Sequence, residues 1–330
     1  MVCRLIGHAA GTVTVLLLWH PLIVAHQRTG KEFPQVELIG VCFDGMGRLV
    51  GQAHAPSALR TAGLQAAFAS GTYSGSDVVV SEAKPRRDPN SDLLNEDALL
   101  QMVDRLYSRV SSALSSGRFP VVYGGDCSVL LAAIPALRDS LGEAGLVFLD
   151  GHEDATPMEM SPNGEAGNME IGLLTGLTGE PPPLPLRHRL PALRPDAVAM
   201  VGQRDDVFRR THKIPTMAGR VLLRSSGEVS ADPVGAGREA ARHVRSQSSG
   251  WWLHIDFDVL ARSEFSASGA PEDILASGGL TWPQLTAVAS SALEVGGCRG
   301  WSLVPYNPDL DPERRAAARI VRFVDDMASR

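Results

Sequence analysis

The sequence predicts an α/β fold with one doubly wound, mainly parallel sheet. Short apolar segments typical of buried strands alternate with longer segments whose apolar residues recur at helical spacing. Several short segments end in acidic and histidine residues, as in 145–154 (GLVFLDGHED), and ligands of open α/β sheets collect at the carboxyl ends of strands. No internal repeat or composition change divides the chain, so we expect one domain at 36–330 after an N-terminal extension at 1–35.

The first half of the domain begins with a strand. Residues 36–43 (VELIGVCF) form an apolar run that predicts a buried strand, and Pro56 fits the first turn of the helix that follows. The segment 95–114 carries apolar residues at helical spacing, which predicts a long amphipathic helix. The other elements expected in this half are strands at 77–80, 119–123 and 146–149 and a helix at 129–137.

The second half continues the same alternation. A glycine-rich segment at 163–179 is expected to end in a short helix, and six prolines in 181–195 predict a surface loop. The apolar run 251–255 (WWLHI) is typical of a buried strand. The remaining predicted elements are strands at 197–201 and 300–304 and helices that include 238–244, 282–293 and 311–328.

The N-terminal extension resembles a secretory signal only loosely. Its apolar runs, 13–18 and 22–25, are separated by His20 and Pro21, and no clear small-residue cleavage site follows. The runs are much shorter than the roughly 20 residues of a membrane span. We therefore expect a poorly ordered extension outside the domain.

Composition restricts the partners and the compartment. The chain has 330 residues, 44% of them hydrophobic and 21% charged, with a net charge of -6, as expected of a soluble globular protein. It has no basic patch, so nucleic acid and anionic membranes are not expected as partners. A small-molecule substrate is the expected partner. Cysteines occur without paired spacing, which favours a reducing compartment such as the cytoplasm. They are Cys3, Cys42, Cys127 and Cys298.

Acidic residues and a histidine cluster at two predicted strand ends. If 150–154 continues the strand, alternation sends Asp150, His152 and Asp154 to one side, and the same spacing aligns Asp256 with Asp258. Carboxylates held this close repel one another unless a cation lies among them, and imidazole with carboxylate suits Mn, Fe, Ni or Zn. The pattern therefore predicts a metal site. Cys127, in the loop after the strand 119–123, is a further candidate ligand.

Seven motifs, in order along the chain, carry a resemblance to a known family. They are GGDCS at 124–128, DGHED at 150–154, GNME at 167–170, GQRD at 202–205, DFDVL at 256–260, GGLT at 278–281 and YNPDLD at 306–311. The set resembles the arginase/agmatinase (ureohydrolase) superfamily, and the opening segment 39–64 is similar to that family's first strand, loop and helix. Each motif is weak evidence alone, but the ordered set covers nearly the whole domain.

The resemblance implies a three-layer α/β/α fold and a pair of divalent ions that share a bridging hydroxide. Mn2+ is the family's ion, and Cys127 leaves Zn2+, Ni2+ or Fe2+ open. Asp150 and Asp256 match the bridging carboxylates. His152 and Asp258 would complete one site, and Asp154 and Cys127 the other. Homologues are commonly trimers or hexamers, so a homo-oligomer is expected.

Five positions depart from the family's motifs. Cys127 stands where the family has the histidine of GGDHS, and Pro305 stands where the family has the glutamate of EVNP, which grips the guanidinium group. Glu170 replaces a histidine thought to shuttle protons and is a candidate general acid or base. Val207 and Ala270 replace an aspartate and a threonine near the specificity pocket. These changes reduce the contacts that would hold an arginine-like head group.

Three functional hypotheses remain. The first is a binuclear metal hydrolase that cleaves a carbon–nitrogen bond of a guanidino, N-substituted guanidino or amidino compound other than free arginine, with Asp154 and Glu170 as catalytic residues. The second is an amide hydrolase, and the third is a metal-poor relative that binds a ligand or partner without turnover. The expected substrate contacts are Asn168, Glu153 and Glu272.

Other polar residues are predicted to support the site. Asp126 is expected to cap the helix that follows Cys127, as aspartate often does. Arg204 and Asp205 are expected to form an ion pair that supports the metal-bearing loops. His254, two residues before Asp256, is expected to contact the ligands without being one of them.

Overall fold

A parallel sheet forms the centre of the fold. The computed structural model describes residues 35–46, 50–68, 72–178, 184–269 and 278–329, and within them nine strands pair in parallel. The strands lie in the order β2-β1-β4-β9-β8-β5-β6-β7, and β3 also pairs with β1. Their bounds are β1 Val36–Cys42, β2 Thr72–Ser74, β3 Val78–Val79, β4 Phe119–Tyr123, β5 Gly145–Leu149, β6 Val198–Gln203, β7 Leu222–Ser225, β8 Trp251–Asp256 and β9 Cys298–Val304.

Helices cover both faces of this sheet. One hydrophobic core contains residues of α1, α7, α8, α9 and α10, and a second core on the opposite face contains residues of α2, α3 and α4. This arrangement confirms the predicted three-layer α/β/α fold. The helices are α1 Ala55–Thr61, α2 Glu96–Ser115, α3 Leu130–Leu141, α4 Glu170–Thr175, α5 Leu184–Arg187, α6 Asp206–His212, α7 Ser226–Ala231, α8 Pro233–Gln247, α9 Trp282–Glu294 and α10 Arg315–Ala328.

Local sequence explains why the long elements form. In α2 the apolar stripe is buried, with Leu99, Met102 and Leu106 almost fully inaccessible to solvent. Helix α9 begins with a capping box, in which Thr281 and Gln284 each accept a backbone N–H of the other. The central strands are buried along their whole length, as parallel strands covered by helices must be.

Several elements differ from the predictions. Strands β2 and β7 and helices α6 and α7 were not predicted, and the expected surface loop at 181–195 contains the short helix α5. Strand β7 lies at the sheet edge with its residues only partly buried, so it lacks the apolar run that identifies a central strand. Helix α6 has no buried residue, and ion pairs at i,i+4 spacing support it in place of an apolar stripe.

The sheet order brings distant segments together. β5 pairs directly with β8, and β9 lies between β8 and β4. The segments that follow β4, β5 and β8 therefore lie side by side at the carboxyl edge of the sheet. The described residues belong to one compact unit, and none of their helices is long and apolar enough to cross a membrane. Residues 1–34 of the predicted extension lie outside the described residues.

Candidate metal centre

The loop after β4 brings Cys127 to the carboxyl edge of the sheet. Gly124 lies at φ 85°, and a Cβ there would lie 2.8 Å from the carbonyl oxygen of Val41, so glycine lets the loop turn against β1. Asp126 then accepts a hydrogen bond from the backbone N–H of Ser128 at 3.0 Å, which confirms its predicted role as a cap. Cys127 follows it and is 2% exposed.

The segment after β5 is a turn and not an extension of the strand. β5 ends at Leu149, the Asp150 carboxylate accepts the N–H of His152 at 2.6 Å, and Asp154 lies at φ 41°. The expectation that strand alternation aligns the three side chains is therefore wrong. Asp150 and His152 still lie together, with 3.5 Å between a carboxylate oxygen of Asp150 and Nδ1 of His152.

The end of β8 supplies two further carboxylates through a similar turn. Asp256 is the last residue of the strand, and its Oδ1 accepts the N–H of Asp258 at 2.6 Å. Its other oxygen accepts the thiol hydrogen of Cys127 at a sulfur–oxygen distance of 2.9 Å. The Asp258 carboxylate accepts the N–H of Gly151 at 3.0 Å, which joins the turns after β5 and β8.

Within the described ranges, three groups of side chains place their ligand atoms within 4.8 Å of one another. The first group, Asp150, His152 and Asp258, corresponds to one of the two predicted metal sites. The other two groups share Cys127: one adds Asp154 and Glu170, and the other adds Asp150 and His254. Asp256 joins the cluster through its contact with Cys127. All six side chains predicted as ligands are therefore brought together by the structure.

Four carboxyl groups and the thiol in this cluster resist ionisation. Burial, together with the neighbouring charge of Asp258, raises the pKa of Asp150 from 3.8 to about 7. Burial also raises the pKa of Asp154, Asp256 and Glu170 well above their ordinary values, and nearby carboxylates add to the effect. The pKa of the Cys127 thiol rises for the same reasons, burial first and Asp256 second.

His152 and Asp258 form an ion pair inside the cluster. Nδ1 of His152 lies 3.0 Å from Oδ2 of Asp258. Burial opposes charge on both groups, but their attraction outweighs it, so the pKa of His152 is raised and that of Asp258 is held below 3.8. A cation bound by both residues would replace the imidazole proton in this pair.

The donor set fits divalent cations. Carboxylates, an imidazole and a thiol are ligand types for borderline metals, and their mutual repulsion would be relieved by positive charge among them. Both carboxyl oxygens of Glu170 are buried without a hydrogen-bond partner among the described residues. Buried polar atoms are nearly always satisfied, so these oxygens indicate an additional bound group.

A cleft opens beside the cluster. It has a volume of about 430 Å³, and His152, Asp154 and Asn168 form the part of its lining nearest the cluster. Phe208 and Ile214 belong to an apolar part of the lining. Asn168 donates a hydrogen bond from Nδ2 to Glu165 at 3.1 Å, and this side chain is partly exposed.

Glu153 lies in the cleft lining, but its carboxylate is already engaged. Oε1 accepts a hydrogen bond from Thr216 at 2.8 Å and lies 2.6 Å from Arg209, and Oε2 accepts the N–H of Met217 at 2.6 Å. The side chain is 1% exposed. The structure thus gives Glu153 contacts that fix the loop around Met217. Glu272, another predicted substrate contact, lies outside the described residues.

The predicted ion pair between Arg204 and Asp205 is wrong. Arg204 donates hydrogen bonds to the carbonyl oxygens of Asp258 and Leu260, at 2.7 and 2.9 Å. Asp205 instead pairs with Arg209, one helical turn further along the chain, at 3.0 Å. Arg204 still supports the cluster, because it fixes the backbone on both sides of the turn that carries Asp258.

His254, predicted to contact the ligands, lies beside Cys127 and Asp150 in the structure. Its side chain is fully buried, and one ring nitrogen lies within 4.8 Å of the sulfur of Cys127 and of a carboxylate oxygen of Asp150. Burial lowers the pKa of His254 to about 3, so its imidazole is neutral. The available signal was its strand spacing: residues two apart on β8 face the same side, so His254 lies below Asp256.

Fold and site together define an α/β/α protein with a buried, acid-rich cluster of ligand-type side chains at the carboxyl edge of its sheet. A family model described as the arginase family matches residues 34–328. An arginase of Staphylococcus aureus (strain MRSA252) is 24% identical over 300 residues, covering 88% of this chain and 95% of that protein. An arginase of Saccharomyces cerevisiae is 29% identical over 245 residues, covering 72% of this chain and 69% of that protein.

Structural similarity agrees with the sequence match. The native structure of the arginase from Bacillus caldovelox superposes with a TM-score of 0.76 at 23% identity, covering 90% of this chain and 99% of that one. The chain belongs to the arginase family. This membership supports a hydrolase that acts on a carbon–nitrogen bond.

Proposed function

We propose that the protein is a binuclear metal hydrolase that cleaves a carbon–nitrogen bond of a guanidino, N-substituted guanidino or amidino compound other than free arginine. The observation that carries this proposal is the convergence of six ligand-type side chains from three strand ends beside a cleft of about 430 Å³. Family membership supports the reaction class. The substrate is inferred from the chemistry of the cleft.

The cluster offers ligands for two cations. Asp150 and Asp256 would hold both ions, His152 and Asp258 would complete one site, and Cys127 with Asp154 would complete the other. We propose Mn2+ as the ion, with Zn2+, Ni2+ or Fe2+ as alternatives because Cys127 is a softer ligand than imidazole. When bound, two cations supply charge stabilisation and a shared water of lowered pKa for attack on the central carbon.

Proton transfer is assigned to Glu170 and Asp154. Glu170 is fully buried, and one of its carboxyl oxygens lies within 4.8 Å of a carboxyl oxygen of Asp154. Because neither Glu170 oxygen has a partner among the described residues, this carboxyl is available to donate a proton to the departing nitrogen. Asp154 would accept a hydrogen bond from the attacking water and so orient it.

Substrate recognition in the cleft relies on few free charges. Glu153 and Asp205, two of the acids in the lining, are both paired with Arg209 and cannot also hold an ammonium group without breaking that pair. Asn168 provides a neutral polar contact, and Phe208 belongs to the apolar part of the lining. These contacts suit a guanidinium or amidine head on a tail that is less polar than the amino-acid end of arginine.

The remaining parts of the proposal concern organisation. We propose one catalytic domain at 36–330, a cytoplasmic location and a trimer or hexamer, the last by resemblance alone. Cys42, Cys127 and Cys298 are free thiols, in keeping with a reducing compartment. Light scattering after size-exclusion chromatography would measure the assembly state, and a monomer would contradict this part.

Metal content and product release test the function. The purified chain, incubated with Mn2+ or with Zn2+, should bind two ions and release urea or ammonia from at least one compound in a guanidino and amidino panel. Asp256→Asn should lose metal and activity together. Asp196→Asn, which removes the charge of an exposed carboxylate paired with Arg194, is the matched control and should change neither. Failure of the wild type to bind any metal would overturn the proposal.

A further inference from the structure

His254 lies directly beneath the cluster with one ring nitrogen unpaired. Its imidazole stacks on Phe148, with 5.1 Å between ring centroids and 7° between planes. Nδ1 lies 2.6 Å from the hydroxyl oxygen of Ser302. Nε2 is buried and has no hydrogen-bond partner among the described residues. Leaving such an atom unsatisfied destabilises the folded protein, so its retention calls for a physical reason.

The neighbours of His254 supply that reason. A ring nitrogen of His254, the sulfur of Cys127 and a carboxylate oxygen of Asp150 all lie within 4.8 Å of one another. Nδ1 is already occupied by Ser302, so Nε2 is the nitrogen free to act as a ligand. Nitrogen, sulfur and oxygen atoms at this separation surround a volume suited to one ion.

We propose that Nε2 of His254 is a ligand of the ion held by Cys127. This inference rests on the proposed function, because it adds a residue to one of the two metal sites described there. The sulfur of Cys127 gives its proton to solvent when the ion binds, and the sulfur–metal bond replaces the sulfur–hydrogen bond. The resulting imidazole, thiolate and carboxylate set favours Zn2+ at this site, whereas His152 and the carboxylates around it also suit Mn2+.

Ser302 and Trp252 position the imidazole. The indole N–H of Trp252 donates to the Ser302 hydroxyl oxygen at 2.9 Å, which fixes that oxygen below His254. When Nδ1–H of His254 donates to the same oxygen, the lone pair of Nε2 points towards the cluster. Metal-bound histidines usually donate their second N–H in this way, because that contact sets the tautomer and the ring orientation.

X-ray absorption on the Zn2+-loaded protein distinguishes a ligand from a supporting residue. If His254 binds the metal, the wild type has on average one imidazole per ion, at about 2.0–2.1 Å, one from His152 and one from His254. In His254→Gln the average falls to one half imidazole per ion. The number of sulfur ligands at about 2.3 Å stays at one half per ion, because Cys127 is unchanged. If His254 only supports the site, the wild type already has on average one half imidazole per ion, and His254→Gln does not change this number. That result would overturn the inference.

Competition titration with a zinc chelator gives an independent measure. His254→Gln and His254→Ala should weaken one of the two sites by more than the roughly 10–100-fold expected when a supporting residue is lost, and leave the other site nearly unchanged. His54→Ala, which removes an exposed histidine outside the cluster, should bind like the wild type. Two bound ions with unaltered affinity in both His254 variants would refute the ligand assignment and leave the hydrolase proposal intact. A wild type without metal would refute both.

Discussion

Removal of the metal should make the stability of this protein strongly dependent on pH. Asp150 is fully buried, and burial with the nearby charge of Asp258 raises its pKa to about 7 in the folded protein. In the unfolded chain the carboxyl returns to its ordinary pKa of 3.8. Between these two values the folded state keeps a proton that the unfolded state releases. A rise in pH therefore favours unfolding of the metal-free protein.

The size of the effect follows from the two pKa values. Each pH unit between 3.8 and about 7 costs about 1.4 kcal/mol, so a shift of this size removes on the order of 4 kcal/mol of stability across the window. The raised pKa values of Asp154, Asp256 and Glu170 act in the same direction. A typical domain has about 5–15 kcal/mol in total, so the loss is large. The raised pKa of His152 acts in the same direction, but its contribution is lost only above 6.5. The lowered pKa of Asp258 acts below 3.8, outside the window.

Urea denaturation between pH 4 and 8 measures this dependence. Chelator-treated wild type should lose about 4 kcal/mol or more across the range. Asp150→Asn, treated in the same way, should lose about 4 kcal/mol less, because the amide has no proton to release. Metal-loaded wild type should show a flatter profile, since the cation replaces the proton as the partner of the carboxylate.

Asp126 provides an internal control. Burial raises its pKa to about 6, but it caps a helix and lies outside the proposed ligand set, so its share of the pH dependence should persist with and without metal. A chelated wild type whose stability is flat or rises from pH 4 to 7 would refute the electrostatic argument. Equal pH profiles for the loaded and chelated protein would show that no cation resides near Asp150.

Three further substitutions test separate parts of the structure. Glu170→Gln should lower kcat by about 10²–10⁴-fold while two ions still bind, and unchanged kcat would remove Glu170 from proton transfer. Arg204→Ala should reduce the free energy of unfolding by about 3 kcal/mol, because the buried carbonyls of Asp258 and Leu260 lose their donor, and metal affinity should fall about 10–100-fold in dialysis experiments. Phe323→Ala should cost about 3–5 kcal/mol in urea denaturation without changing metal content, because this side chain is buried among aromatic rings and carries no ligand atom.

Local patterns in the sequence determined much of the fold. The buried strands that became β1, β4, β5 and β8 are apolar runs, and helix α2 carries a regular apolar stripe, so their identity depends on neighbours a few residues away. Elements without such a pattern were missed. Helix α6 has no buried residue, and edge strand β7 is only partly buried.

The candidate ligands could also be found from sequence, but not their exact geometry. Acids at the ends of predicted parallel strands share one edge of the sheet whatever the details of the turns, so Asp150 and Asp256 could be placed together. The conformation of the turns could not be predicted in the same way. Asp154 adopts a positive φ, which strand alternation does not anticipate.

Tertiary structure alone decided which side chains meet. Cys127 and Asp256 are 129 positions apart, and their contact at 2.9 Å depends on the strand order β4-β9-β8-β5, which no local periodicity encodes. The same order brings His254 beside Cys127, and its Nε2 has no hydrogen-bond partner in the part of the chain that the structure describes. Arg209 is another example, because it pairs with Glu153 across 56 positions and withdraws that carboxylate from the cleft. Hydrophobic patterning specifies the elements through local burial, whereas partners in the site are selected by the packing of the whole sheet.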